Sequence, residues 1–152
     1  MGALTLPTVG PVYLDADAII YSVEKIEPYA SLLRPLWLAA QVGRFLVISS
    51  ELTLLETLVK ALQTHDPVLE SSFRTLLLAS REIQLVPLSR TILETAARLR
   101  ATAGVKTPDA LHAATALEAR CALFVTNDAG YRRVPGLPLT ILHDVLTTPT
   151  AP

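Results

Sequence analysis

The sequence predicts an α/β domain: a parallel sheet of about five strands, covered by helices on both faces. Short runs rich in β-branched and aromatic residues alternate with segments of helical periodicity along almost the whole chain. That alternation is typical of parallel strands joined by helical crossovers. The chain has 152 residues, of which 51% are hydrophobic and 18% charged, which is enough for one domain with a substantial core.

The amino-terminal half is predicted to contain two strands and four helices. An apolar run ends at Asp15, and the alanine- and isoleucine-rich residues that follow favour a helix. Pro28 and Pro67 fit helix starts, and Gly43 fits a helix end. The predicted strands cover 12–14 and 44–48, and the predicted helices cover 16–22, 29–42, 51–63 and 67–79.

The carboxyl-terminal half is predicted to contain three strands and two helices. Ser89 and Gly104 fit the cap and the stop of one helix, and Pro108 fits the start of the next. Cys121 lies in an apolar run and is expected to be a core residue. The predicted strands cover 83–88, 121–126 and 139–142, and the helices cover 90–103 and 107–120, with a helical turn over 128–133.

No linker or repeat divides the sequence, so we expect one domain over residues 1–152, with its core at about 12–145 and flexible ends. No apolar run is long enough to span a bilayer, and the start lacks the basic residues of a secretory signal, so a cytoplasmic location is expected. The net charge of −1 gives no general attraction for nucleic acid, which therefore requires a local basic patch or metal ions. The large apolar share predicts a surface covered by a partner or a second copy.

Carboxylates follow two of the predicted strands directly. Asp15 ends the first strand, with Asp17 two residues later, and Asp128 follows the strand that ends at Thr126. In parallel sheets, this edge is where ligands bind. An ordinary role as a helix cap or turn residue is an equally good interpretation of each one taken alone.

Two further acids lie on predicted helices. Glu56 is expected to form an ion pair with Lys60 on a solvated face, because the two are four residues apart. Asp109 lies in a first turn, where the helix dipole by itself favours an acid, but the alanines around it allow another element to approach. His112, one turn later, is a candidate to face the same cleft and support the site, with a hydrogen-bonded structural histidine as the favoured interpretation. The leucines of the helix that carries Glu56 are expected to face inward, at positions 52, 55, 58 and 62.

Taken together, the four acids are predicted to gather at one edge of the sheet. Close carboxylates would repel each other by roughly 4 kcal/mol per pair at an effective dielectric constant of about 20, so a cation is required. Oxygen ligands suit Mg²⁺ or Mn²⁺ rather than zinc, and the sequence offers no competing set of cysteines and histidines. The four acids are Asp15, Glu56, Asp109 and Asp128.

Four motifs resemble those of the PIN-domain ribonucleases, and most of all the VapC-type toxins of toxin–antitoxin pairs. The resemblance covers about residues 12–145. The most specific motifs in combination are Thr-Pro-Asp-Ala-Leu-His-Ala-Ala-Thr-Ala and Val-Thr-Asn-Asp-Ala-Gly-Tyr-Arg-Arg-Val-Pro-Gly-Leu. The other two are Tyr-Leu-Asp-Ala-Asp-Ala-Ile-Ile and Ile-Ser-Ser-Glu-Leu-Thr-Leu-Leu-Glu. The four motifs occupy 107–116, 125–137, 13–20 and 48–56, respectively.

The resemblance implies a catalytic site in which the four acids hold one or two Mg²⁺ or Mn²⁺ ions and Thr126 supports them. It implies hydrolysis of transfer or ribosomal RNA to products with 5′-phosphate and 3′-hydroxyl ends. It also implies a homodimer, inhibited by a cognate antitoxin that lies in a groove for which Trp37 and its neighbouring leucines are candidates. The sequence departs from the family at Asp17, where Asn, Ser or Thr is usual, and the role of Asp17 stays open.

Three basic residues adjoin the four acids in sequence and are candidates for contacts with RNA phosphates, with solvated surface charge as the alternative. They are Lys106, Arg132 and Arg133.

Two other functions remain as alternatives. In a haloacid-dehalogenase-type phosphatase, Asp15 would be the covalent nucleophile and Asp17 the acid–base partner. Ile19 and the context of the later acids do not fit that family well. The second alternative is a non-catalytic PIN-fold binding module, against which the presence of all four acids speaks.

Overall fold

The computed structural model of the protein, which describes residues 2–149, confirms the α/β architecture. Five strands form one sheet in the order β3-β2-β1-β4-β5, and every neighbouring pair is parallel. The strands are β1 (Val12–Leu14), β2 (Val47–Ser50), β3 (Ile83–Val86), β4 (Leu123–Thr126) and β5 (Leu139–Ile141). The helices are α1 (Ala16–Val23), α2 (Tyr29–Gln41), α3 (Leu52–Gln63), α4 (Pro67–Arg74), α5 (Arg90–Ala103), α6 (Thr107–Glu118) and α7 (Leu142–Thr147). A π-helical turn (Thr75–Ala79) continues α4, and a 3₁₀ turn (Ala129–Arg133) follows β4.

The sheet has a hydrophobic core on each face, because successive side chains of a strand point to opposite sides. On one face, Tyr13 stacks on Phe124 with ring centroids 4.9 Å apart, beneath α5 and α6. Val12 and Leu14 belong to the other core, with residues of α1 to α4 and of α7. Cys121 is buried in the first of these cores, as predicted. This arrangement fixes β1 in the centre of the sheet and places Asp15 at its carboxyl end.

The second strand lies later in the chain than predicted. Ser49 and Ser50 continue the strand beyond its predicted end at residue 48 and pair with β3, and the Ser50 hydroxyl also accepts a hydrogen bond from the Leu52 amide at 3.0 Å. Ser49 tolerates full burial because its hydroxyl donates to the Leu14 carbonyl at 2.6 Å and bonds to the Thr53 hydroxyl at 2.7 Å. The strand therefore ends at Ser50, and its polar residues lie beside β1 next to Asp15.

Helix α3 packs through a different face from the one predicted. Thr53, Thr57 and Leu58 are buried, while Leu55 is 63% and Leu62 is 52% exposed. The Thr57 hydroxyl is satisfied inside the core because it donates to the Thr53 carbonyl at 2.8 Å. The prediction that the leucines point inward was therefore wrong for Leu55 and Leu62, and α3 presents an apolar surface to solvent.

The other boundary differences lie at the edges of elements. Strand β3 ends at Val86 and β4 begins at Leu123, each shorter than predicted, and α7 follows β5 without having been predicted. The predicted fraying after Leu146 falls partly on α7, which is helical to Thr147, and partly on residues 150–152, outside the described part of the chain. Among residues 2–149, no helix has the length and apolar character needed to cross a membrane.

Candidate active site

The sequence-predicted acids lie around one small cavity at the carboxyl edge of the sheet. Asp15 follows β1, Asp128 follows β4, and the cavity between them has a volume of about 60 Å³. At about 30 Å³ for each water molecule in the liquid, this is room for roughly two. We call it the acidic cavity; its lining residues are Asp15, Ala16, Asp17, Glu56, Asp109, His112, Asp128 and Tyr131.

Asp15 is held rigidly at the base of the acidic cavity. It is 4% exposed, and one carboxylate oxygen accepts a hydrogen bond from the Ala18 amide at 3.1 Å, so it caps α1. The other oxygen accepts from the Thr126 hydroxyl, which in turn accepts from the Asp128 amide at 3.0 Å. Asp15 therefore both caps α1 and lines the candidate site. Thr126, a predicted supporting residue, links the two strand-end acids.

Glu56 is held by a buried chain of hydrogen bonds and not by the predicted ion pair. Its carboxylate lies 2.6 Å from Nε2 of His112, while Lys60 pairs with Glu24 at 2.6 Å. Nδ1 of His112 lies 2.6 Å from the Tyr13 hydroxyl. Burial and the charge of Asp15 raise the pKa of Tyr13, so the phenol stays protonated and donates to Nδ1. With Nδ1 accepting this hydrogen bond, the hydrogen on Nε2 is directed at Glu56, and His112 donates it to the carboxylate.

The carboxylates of the acidic cavity raise each other's pKa. Burial is the main cause that raises the pKa of Asp15 to about 7, and the charge of Asp17 adds to it. Partial burial and the charge of Asp128 raise the pKa of Asp17 and that of Asp109. No lysine or arginine lines this cavity within the described residues. The site thus gathers negative charge that no lysine or arginine in its described lining compensates.

This donor set fits a hydrated divalent cation. Within residues 2–149, no three Asp, Glu, His or Cys side chains converge closely enough to form a ready-made metal site. Mg²⁺, however, keeps several of its water molecules and is usually bound by only one or two carboxylates. Each oxygen of Asp15 accepts one protein hydrogen bond and retains a second lone pair for an ion or its water. The oxygen-only chemistry and the uncompensated charge agree with such an ion.

The other predicted residues divide into two groups. Asp17 and His112 line the acidic cavity, whereas the basic candidates lie outside it. Tyr131 was not singled out from the sequence, yet it is 2% exposed and reaches this cavity from the 3₁₀ turn. Its position three residues after Asp128 is the signal that identifies it, because residues three apart lie on the same side of a 3₁₀ turn.

Comparison of the sequence with protein families gives one match relevant to this site. The family model described as "PIN domain" matches residues 12–137, which include all the acids of the cavity. No curated protein sequence matches the chain significantly.

Solved structures with the same fold include several toxin–antitoxin proteins. VapBC2 from Rickettsia felis, bound to a DNA fragment from its promoter, aligns with a TM-score of 0.68 at 19% identity, covering 86% of this chain and 98% of that one. VapBC-1 from nontypeable Haemophilus influenzae aligns with a TM-score of 0.63 at 19% identity, covering 89% and 98%. VapBC-5 from Mycobacterium tuberculosis, of the VapBC family of toxin–antitoxin systems, has a TM-score of 0.54 at 20% identity, covering 89% and 98%. At such identities, the likeness establishes the fold alone.

Proposed function

The chain belongs to the PIN-domain family, and from that membership we propose that it is a Mg²⁺- or Mn²⁺-dependent endoribonuclease, the toxin of a VapBC-type toxin–antitoxin pair. The observation that carries this proposal is the acidic cavity, in which carboxylates from four separate segments meet with no lysine or arginine in the described lining. PIN domains are generally nucleases, and a phosphodiester needs positive charge at such a site before it can approach. We also propose that residues 1–152 form one domain, of which the family model covers 12–137.

Asp15, Glu56, Asp109 and Asp128 would hold the ion or ions, with Asp17 as a further oxygen ligand at the rim. When bound, such an ion supplies hydroxide near neutral pH and stabilises the negative charge that develops on the phosphodiester during in-line displacement. The expected products carry 5′-phosphate and 3′-hydroxyl ends.

The chain's own residues keep the ligands in place. The Ala18 amide and the Thr126 hydroxyl fix both oxygens of Asp15, so its carboxylate cannot rotate away from the cavity. His112 holds Glu56 toward the same cavity through a 2.6 Å hydrogen bond, although Glu56 lies on a different helix. These bonds exist before substrate binds, which lowers the cost of organising the site.

We propose RNA, such as transfer or ribosomal RNA, as the substrate, the cytoplasm as the place of action, and a cognate antitoxin and a second copy as protein partners. The VapBC complexes among the structural neighbours support an antitoxin partner. The apolar surface of α3 supports a protein contact, since Leu55, Val59 and Leu62 border a groove of about 640 Å³. The predicted groove at Trp37 is less suitable, because the nearby Leu33 and Leu36 are fully buried.

The phosphatase alternative is not favoured. No lysine lines the acidic cavity in the described part of the chain, and Glu56, which the phosphatase mechanism does not need, is held there by His112. A non-catalytic PIN module would share this geometry but not turnover, so it is distinguished by assay.

The test is cleavage of total cellular RNA by the purified chain with Mn²⁺ or Mg²⁺, with EDTA as the metal-free control. We expect discrete bands that disappear in EDTA and in Asp109→Asn, which removes one cavity charge. Asp66→Asn is the matched control, because Asp66 is an exposed aspartate that caps α4 and does not line the acidic cavity. Cleavage by Asp109→Asn at the parent rate would refute the site, and no cleavage by the antitoxin-free parent on any RNA would favour a binding module.

A further inference from the structure

A second cavity adjoins the acidic cavity and differs from it in charge. It has a volume of about 260 Å³ and lies between the start of α6 and the 3₁₀ turn after β4. Asp109 and Asp128 line both cavities, so the two share a wall. The remaining lining includes Lys106 and Arg133, and we call this space the basic cavity.

The structure distinguishes between the three basic residues that the sequence offered equally as candidates for contacts with RNA phosphates. The side chains of Lys106 and Arg133 are exposed, line the basic cavity, and form no hydrogen bond or ion pair within residues 2–149. Arg132, their neighbour, forms an ion pair with Asp144 and lines neither cavity. Two cations are thus available to an anion in the basic cavity, and the third is already in use.

The walls of the basic cavity are held in a defined shape. Gly104 ends α5 with a φ of +67°, and the Arg100 guanidinium donates to the Val105 carbonyl at 3.3 Å, which fixes the turn before Lys106. On the opposite side, the Gly130 amide donates to Asp128 at 2.8 Å. A side-chain carbon at Gly130 would lie 3.0 Å from an Asp128 oxygen. Because glycine has no side chain, this part of the cavity wall stays open.

We propose that the basic cavity binds the RNA phosphate adjacent to the one being cleaved, with Lys106 and Arg133 as its ligands. This inference rests on the proposed function, which places the reacting phosphodiester at the acidic cavity. The next phosphate of the same strand must then leave that cavity over its rim, and the rim formed by Asp109 and Asp128 leads into the basic cavity. Arginine suits two-point contact with phosphate oxygens, and lysine supplies a compact point charge.

The arrangement assigns each cavity a separate role in substrate binding. A cation held by the shared carboxylates offsets their repulsion of the strand, while Lys106 and Arg133 attract it from the far side. Removing either basic residue then weakens binding of RNA and leaves the reacting groups in place. A contact that serves the ground state and the transition state equally changes KM and not kcat.

The experiment measures binding of a short fluorescent oligoribonucleotide by anisotropy over a range of salt concentrations. Ca²⁺ replaces the catalytic ion, so that a cation offsets the charge of the acidic cavity, and a gel checks that the RNA stays intact. We expect Lys106→Ala and Arg133→Ala each to weaken binding by about tenfold at low salt. Each should also reduce the slope of log affinity against log salt by about 0.7, as for one lost phosphate contact on a single strand. Arg132→Ala, which removes the same charge from the next position, should leave both quantities near the parent values.

Cleavage kinetics with Mn²⁺ provide the second readout, in which Lys106→Ala and Arg133→Ala should raise KM with kcat within about twofold of the parent. If the parent cleaves RNA and all three variants match each other in affinity and slope, the basic cavity is not a phosphate site and the nuclease assignment stands. If the parent neither binds nor cleaves RNA, the proposed function fails and this inference fails with it.

Discussion

Replacing Asp15 with asparagine should make the metal-free protein more stable at alkaline pH and less stable at acidic pH. Burial raises the pKa of this carboxyl from 3.8 to about 7 in the folded state. Folding therefore takes up a proton between these two values, and the parent protein loses stability as the pH rises through that window. At 1.36 kcal/mol per pH unit, the loss is about 4 kcal/mol when Asp15 is fully ionised.

The amide of Asp15→Asn removes this penalty, and it keeps the helix cap because asparagine caps as well as aspartate. It also loses the hydrogen bond that the Thr126 hydroxyl donates to the carboxylate, at a cost of about 1 kcal/mol. Near pH 8 the variant should be more stable by about 3 kcal/mol, or about 6–12 °C in Tm. Below pH 3.8, where the carboxyl is protonated in both states, it should be less stable by about 1 kcal/mol.

The assay is urea unfolding in EDTA across this pH range, followed by circular dichroism. Asp66→Asn is the matched control, since Asp66 caps α4 in the same way, with the Leu69 amide 3.0 Å from its carboxylate, but it is exposed. Its effect should stay within about 0.5 kcal/mol throughout. A difference between parent and Asp15→Asn that does not change with pH would refute the claim that buried charge at Asp15 opposes folding. Adding Mg²⁺ should stabilise the parent more than the variant.

Two further predictions concern residues that support the site. Tyr13→Phe leaves Nδ1 of His112 buried without its 2.6 Å donor and should lower the free energy of unfolding in urea by about 1–3 kcal/mol. The control is Tyr29→Phe, because the Tyr29 hydroxyl makes no hydrogen bond within residues 2–149. It should change the free energy of unfolding by less than about 0.5 kcal/mol. An equal loss in both variants would contradict the hydrogen-bond chain. Gly104→Ala should lower the free energy of unfolding by about 1 kcal/mol, because a φ of +67° disfavours a side chain even though no atom lies within 4 Å of the added carbon. Gly104→Asn should lower it less, because asparagine tolerates that φ. Equal losses of stability in the two variants would rule out backbone strain as the cause.

Sequence patterns identified the strand-end acids because their placement depends on local periodicity alone. The run before Asp15 is short and apolar, and a parallel sheet brings its end to the same edge as that of the strand before Asp128. The family model and the fold confirm the architecture that these patterns predicted. The catalytic roles of the acids stay predictions, which Asp109→Asn tests.

Such patterns could not predict the hydrogen-bond partner of Glu56. Spacing along one helix suggested Lys60, but the side chain turns to His112, which is 56 residues later in the chain and on another helix. Helical periodicity likewise predicted that the leucines of α3 are core residues. In α3, two threonines are buried instead, because Thr57 satisfies its hydroxyl on the helix backbone and Thr53 bonds to Ser49. Both errors come from tertiary contacts that no short window of sequence contains.

The parallel topology has a practical consequence for labelling the protein. Every strand ends at the edge that carries both cavities, so the turns that lead into the strands lie at the other end of the sheet. Gly43, in the turn before β2, has a φ of +78°, and a side-chain carbon added there would meet no atom within 4 Å, so the position is open to solvent. A short peptide tag inserted there leaves the edge that carries both cavities clear. The same chain can therefore be tethered to a sensor surface by one end of its sheet while both cavities at the other end stay accessible.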